Sequence, residues 1–174
     1  MKHVKVLLAM LAVCLLVAAG ATNAHAAKKK KSVRGLYAGF GVGLSEFEHD
    51  DAEAFAWRAM GWLRVCKYAS LEFSYLNSGE LSGQDEVDGL QGAIVPMLPI
   101  TEQLTLLAKV GGLVGTRGGS TEEELTYGFG AMFDLPDPLP ETMGIRIEWE
   151  RLEESAVDTF TIGPFYQFVE FGKR

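Results

Sequence analysis

The sequence predicts an all-β chain, an eight-stranded antiparallel up-and-down transmembrane β-barrel preceded by a cleaved signal peptide. Three observations carry this. The chain beyond its first residues breaks into about eight runs in which apolar and polar residues alternate with period two, and none keeps a helical period. One face of several runs is rich in glycine. The charges on the polar faces nearly cancel, although the chain as a whole is acidic.

The N-terminal region is read first. Met1–Lys5 carries Lys2 and Lys5, Val6–Ala19 is an apolar run too short to span comfortably, and Ala24-His25-Ala26 is an A-x-A cleavage signal. Residues 1–26 are therefore expected to be a secretory signal peptide, with Cys14 poorly placed for a lipid anchor. Its removal takes two cations and no acid, so the net charge of −7 becomes −9. That balance argues against a nucleic-acid partner. Cys66 is left as the one remaining cysteine, which excludes an intramolecular disulfide. Residues 27–34, with Lys28 to Lys31, read as a solvated basic tether.

The first strand is expected over Gly35–Ser45, with Leu36, Ala38, Phe40, Val42 and Leu44 opposite Tyr37, Gly39, Gly41 and Gly43. Glycines in a row on one face leave room for side chains reaching across a narrow barrel. The second, Phe55–Arg64, sets Phe55, Trp57, Ala59 and Leu63 against Arg58, Met60, Trp62 and Arg64. Val65–Tyr68 turns the chain into Ala69–Asn77, where Leu71, Phe73 and Tyr75 oppose Ser70, Glu72 and Ser74. Leu90–Leu98 is apolar on both faces and interrupted by Pro96. Leu104–Gly115 places Lys109 on its polar face, and Leu125–Asp134 alternates Tyr127, Phe129 and Ala131 with Gly128 and Gly130. Met143–Arg151 alternates most strictly, with Ile145, Ile147 and Trp149 opposite Arg146, Glu148 and Glu150. The last strand, Thr159–Phe168, contains Pro164, where a bulge or early fraying is expected. The barrel is thus placed at 35–168, with a short tail at 169–174.

The connections alternate too. Val65–Tyr68, Pro99–Gln103 and Leu135–Thr142 are short or Pro-rich. Glu46–Glu53, Ser78–Asp88, Thr116–Glu124 and Leu152–Asp158 are longer and polar. Short turns on one side and longer loops on the other suit an outer-membrane barrel.

The polar faces decide which side is wet. Arg58, Arg64, Lys109 and Arg146 face Glu72, Glu148 and Glu150. A packed interior needs paired charges, whereas a solvated face of an acidic protein has no reason to be neutral. These seven residues are expected to form an interior charge network that fills the barrel. The competing reading, a soluble periplasmic lipocalin-like barrel with reversed faces and a small apolar ligand, shares the same alternation. The glycine-rich polar face argues against it.

With those pieces in place, the chain resembles the OmpA/OmpX-type family of small eight-stranded outer-membrane β-barrels. The likeness rests on Trp57-Arg58-Ala59-Met60-Gly61-Trp62-Leu63-Arg64 leading to Leu71-Glu72-Phe73-Ser74-Tyr75, on Leu98-Pro99-Ile100-Thr101-Glu102 leading to Leu106–Gly111, on Tyr127–Ala131, on Ile145–Glu150 and on Gly163–Phe168. The resemblance implies an outer-membrane location in a Gram-negative-type envelope, contact with membrane lipid and lipopolysaccharide, and delivery by the barrel-assembly machinery. It implies an interior of paired charges in place of an open pore. The family tends to end on an aromatic residue; here Phe168 is followed by Val169–Arg174.

A third reading, a lipid-modifying outer-membrane enzyme, would need a hydrolytic constellation. The mature chain has one histidine, His49, in an acidic loop, and no His-x-Ser pair accompanies it. No catalytic residue and no cofactor is expected. The loops also gather Glu46, Glu48, Asp50 and Asp51, then Asp85, Glu86 and Asp88, then Glu122, Glu123 and Glu124. Oxygen-rich clusters suit weak divalent-cation binding, although no EF-hand spacing is present.

Overall fold

The computed structural model describes residues 34–47, 52–79, 86–135 and 142–171. They form eight strands: β1 (Arg34–Phe47), β2 (Ala52–Cys66), β3 (Ala69–Asn77), β4 (Val87–Pro99), β5 (Leu104–Arg117), β6 (Ser120–Asp134), β7 (Met143–Leu152) and β8 (Val157–Phe171). Each pairs antiparallel with its neighbours, and β8 pairs with β1 to close the barrel. Closure leaves no sheet edge, so the ladders can satisfy the backbone without water.

The register fixes the tilt. Stepping across partners from Leu36 runs through Leu63, Leu71, Ile94, Val110, Tyr127, Arg151 and Asp158, and arrives back on β1 at Glu46, ten residues further along. That stagger inclines every strand and brings residues distant in sequence to one level.

Alternation sorts the faces as the residue pattern expects. Phe55, Phe73, Leu90, Val110, Leu125, Ile145 and Ile162 are exposed on the outside, while Arg58, Glu72, Lys109, Arg146, Glu148 and Glu150 are buried inside. Phe73 is 75% exposed and Leu90 69%, inverting the usual arrangement of a water-soluble protein. The outer aromatics pack on one another across strands: Phe40 with Trp57, Trp57 with Tyr75, and Trp149 with both Tyr127 and Phe129.

Several boundaries differ from the sequence expectation. The Thr116–Glu124 connection is no loop. Its residues continue β5 and β6 up to the Arg117–Ser120 pair, and the turn is Gly118-Gly119 alone. Both glycines have positive φ, at 56° and 85°, which a two-residue hairpin of native twist requires. The β7–β8 connection shrinks likewise to Glu153–Ala156. Ala156 holds φ 53° in that turn, a conformation that costs an L side chain about 1 kcal/mol.

At Pro164 the last strand neither frays nor bulges. The ladder to β1 jumps from Gly39–Phe165 to Val42–Ile162 without losing register, and β7 still pairs with Pro164 through Ile145. The bulge lies beyond it, opposite Leu36 and Tyr37, and β8 continues to Phe171, past Phe168. Pro96 is treated in the same way: β4 pairs it with Ala69 on β3 and skips it on the β5 side. A residue without an N–H is tolerated where one ladder omits it. The expected signal segment, the Lys28–Lys31 run and residues 172–174 lie outside the described residues.

Candidate functional site

The interior of the barrel is the candidate site, and it is stratified. At its middle lie six charged side chains from four strands: Arg58 of β2, Glu72 of β3, Lys109 of β5, and Arg146, Glu148 and Glu150 of β7. Period-two alternation places the last three on one face of one strand. All six are at most 3% exposed.

They form one continuous network. Lys109 Nζ lies 2.5 Å from Glu148, 2.9 Å from Glu150 and 3.4 Å from Glu72. Arg146 donates from Nη1 to Glu72 at 2.5 Å and from Nε to Glu148 at 2.7 Å. Arg58 pairs with both Glu148 and Glu150. Three basic side chains meet three carboxylates, so their formal charges balance within the cluster. Neutrality and mutual hydrogen bonding are what a desolvated charge cluster requires.

A polar residue overlooked in the sequence completes it. Gln91 of β4 donates to Thr126 at 2.6 Å and to Glu150 at 2.5 Å, and accepts from Ser74 at 2.9 Å and Lys109 at 3.2 Å. Its signal was available: β4 alternates Gln91, Ala93, Val95 and Met97 inward with Leu90, Ile94 and Leu98 outward. Gln91 is the one polar side chain of the Leu90–Leu98 stretch, and the interior claims it.

Arg64 does not join the network. It shares the inward face of β2 with Arg58 but sits six residues nearer the β2–β3 turn, where it donates to the Lys67 carbonyl at 3.2 Å. The four-against-three balance read from sequence is three against three once Arg64 is placed at the rim.

Two apolar layers bracket the charges. Towards the terminal end, where β1 begins and β8 finishes, Tyr37, Met60, Trp62, Val95, Met97, Leu107, Met132 and Phe165 form one buried cluster. Tyr37 stacks on Trp62 at 5.3 Å, Phe165 packs against both, and Arg146 rests 5.2 Å over the Trp62 ring. Met60 lies over the inward glycines of β1, with Cγ 3.4 Å from where a Gly39 side chain would begin and Cε 3.6 Å at Gly41. At the far end, Phe47, Ala54, Leu76, Val87, Leu113, Leu152 and Val157 form the second layer. Hydrogen bonds stitch its rim: Ser45 donates to the Ser78 carbonyl, Ser78 accepts from the Val87 N–H at 3.0 Å, and the Glu124 carboxylate accepts from the Ser155 hydroxyl and its N–H.

The described members of the acidic sets do not come together. Among the described residues no group of three His, Cys, Asp or Glu side chains could hold a metal ion. Glu122, Glu123 and Glu124 are successive strand residues, so Glu123 points out while Glu124 is bound to Ser155 inside. Asp88 is engaged by Tyr75 at 2.5 Å and Thr116 at 2.6 Å, and Glu86 accepts from Asn77. Glu46 lies on β1 directly opposite Glu53 of β2. Glu48, His49, Asp50, Asp51 and Asp85 lie outside the described residues, which themselves contain no histidine.

No family model matches the chain, and no curated protein matches it. Solved structures do. A de novo designed transmembrane β-barrel aligns with a TM-score of 0.57 at 15% identity, over 81% of this chain and 100% of that one. The N-terminal β-barrel domain of Pseudomonas aeruginosa OprF aligns at 0.53 and 10% identity, over 78% and 99%. The Yersinia pestis outer membrane protein Ail in a phospholipid bilayer nanodisc aligns at 0.50 and 17% identity, over 77% and 99%. The fold is that of the small eight-stranded outer-membrane barrels. At these identities the likeness extends to architecture alone.

Proposed function

We propose that this chain is an integral outer-membrane β-barrel with no enzymatic activity, closed to solutes, that serves the envelope as a structural and surface-display protein. The observation that carries the reading is the division between its two faces. A continuous apolar exterior surrounds an interior whose charges are neutralised among themselves and covered at both ends by apolar layers. Such an exterior is stable in lipid and insoluble in water. Such an interior sets neutralised charges and two apolar layers across the way of an ion, and fills with its own described side chains the space in which a lipocalin would hold a small apolar ligand.

Membrane lipid and the lipid-A region of lipopolysaccharide are the partners this exterior fits, with Trp57, Tyr75, Tyr127 and Trp149 as one interfacial girdle and Tyr166 and Phe168 towards the other. β8 carries the chain to Phe171, whose exposed ring adds to the aromatics at that end. The acidic far rim stands as a surface-display feature.

The test is direct. The chain from Ala27 onward should need detergent or lipid to fold, migrate differently on a gel before and after boiling, and give no steady conductance in a planar bilayer. Folding as a soluble monomer without amphiphile overturns the membrane reading, and a stable open conductance overturns the closed interior.

A further inference from the structure

The two apolar layers are built differently. The far layer consists of Phe47, Ala54, Leu76, Val87, Leu113, Leu152 and Val157, stiff or branched side chains beneath a hydrogen-bonded rim. The layer at the terminal end holds three methionines, Met60, Met97 and Met132, and the far one holds none. Methionine is unbranched, with three rotatable bonds, and repacks at little cost.

A second, independent observation falls mainly at the same end: the buried polar atoms without a hydrogen-bond partner elsewhere belong to Arg58 and Glu150, which pair with each other, and to Asp158, which Arg151 holds. The Trp62 indole Nε1, the Ser70 hydroxyl, the Arg64 Nε and both polar atoms of the Gln167 amide are buried with no hydrogen-bond partner in the protein. Trp62, Ser70 and Gln167 are each no more than 2% exposed. The register gathers them: Tyr37 lies between Gln167 of β8 and Trp62 of β2, and Arg64 lies between Ser70 and Gly35. Gln167 Nε2 comes within 2.6 Å of the point where a Gly35 side chain would begin, so the amide lies directly over β1. Buried polar groups that lack protein partners are satisfied by water, and each left dry carries a desolvation penalty.

We propose that the methionine-bearing layer is a deformable seal that admits water from the terminal end to Trp62, Ser70, Gln167 and Arg64, while the far layer stays dry. The methionines move aside, water bonds to the orphaned donors and acceptors, and the seal closes again. Hydration of the interior is therefore one-sided. Trp62 marks how deep it reaches, because its ring is the floor on which the Arg146 guanidinium rests. The inference is independent of the function proposed above, since it depends on the packing of one end and not on the compartment that end faces.

The test follows the indole proton of Trp62 by NMR in the folded full barrel in detergent micelles, assigned by its disappearance in Trp62→Phe. It should exchange with water and show water cross-relaxation, while the amides of Leu76 and Leu113 remain protected. The triple variant Met60→Leu, Met97→Leu, Met132→Leu keeps side-chain volume and should slow that exchange about tenfold or more. If the triple variant fails to fold, Ser70→Cys in a Cys66→Ser background gives the second measurement. A small water-soluble thiol reagent should modify it at least about tenfold faster than Leu113→Cys in the same background. An indole proton as protected as the Leu113 amide overturns the proposal. So does a leucine variant whose exchange matches the parent, or equal labelling of the two cysteines.

Discussion

β7 carries both faces of the molecule in ten residues, and the two are stabilised by opposite means. On its outside, Ile145, Ile147 and Trp149 would gain little from one another in lipid, because acyl chains are as apolar as they are. On its inside, Arg146, Glu148 and Glu150 are each tied to at least one other strand through Glu72, Arg58, Lys109 or Gln91. In a water-soluble protein the apolar face would hold the sheet together and the charged face would be dispensable. Here the charged face cross-links β2, β3, β5 and β7, and the apolar face sets only where the barrel can reside.

The sharpest break of that contrast is Glu148→Ala, which strips Arg58, Lys109 and Arg146 of their shared carboxylate. Loss of one partner from a buried ionic group should cost about 3–5 kcal/mol, read by urea unfolding in lipid vesicles. Removing charge in balance tests the same point from the other side. Lys109→Met with Glu148→Met should be less harmful than Glu148→Ala alone, and a double variant as damaged as the sum of its parts would argue against a coupled network.

The outer face is broken by Phe73→Arg, at the mid-length of β3 and the most exposed large apolar residue among those described. It should cost about 2–4 kcal/mol in a bilayer, whereas a barrel in water would tolerate it. In the far seal, Leu113→Ala should cost about 2–3 kcal/mol through cavity formation, with the ion pairs left intact. The smallest effect tests neither face. Ala156→Gly removes the one positive-φ non-glycine among the described residues, and should gain up to about 1 kcal/mol without altering the gel shift.

Much of this arrangement was legible from the residues. Ala69–Asn77 is bounded as the alternation places it, and Arg58, Glu72, Lys109, Arg146, Glu148 and Glu150 all turn inward. The ends of strands were less legible, because polar residues such as Glu122 and Glu124 look like loop whether or not a ladder continues through them. At the level of β5 and β6 it does continue, and only Gly118-Gly119 is turn. Gln91 was overlooked for a different reason: Leu90–Leu98 is apolar on both faces, so the alternation that sets Gln91 inward with Val95 and Met97 shows little contrast.

Alternation along one strand reports which face a side chain takes, since successive residues point to opposite sides of the pleat. Together with the near-cancelling charges and the glycines on the polar faces, it made the chain readable as a closed antiparallel barrel with an apolar skin and a charged inside. Alternation says nothing about level. Arg58 and Arg64 share a face, yet one lies in the central network and the other at the rim. Levels follow from the ten-residue stagger accumulated around eight strands, which no single strand contains. That stagger brings Glu72, Lys109 and Glu148 into contact and stacks an apolar layer on either side of them. It also leaves the polar atoms of Trp62 and Gln167 beside three methionines, where water can reach them.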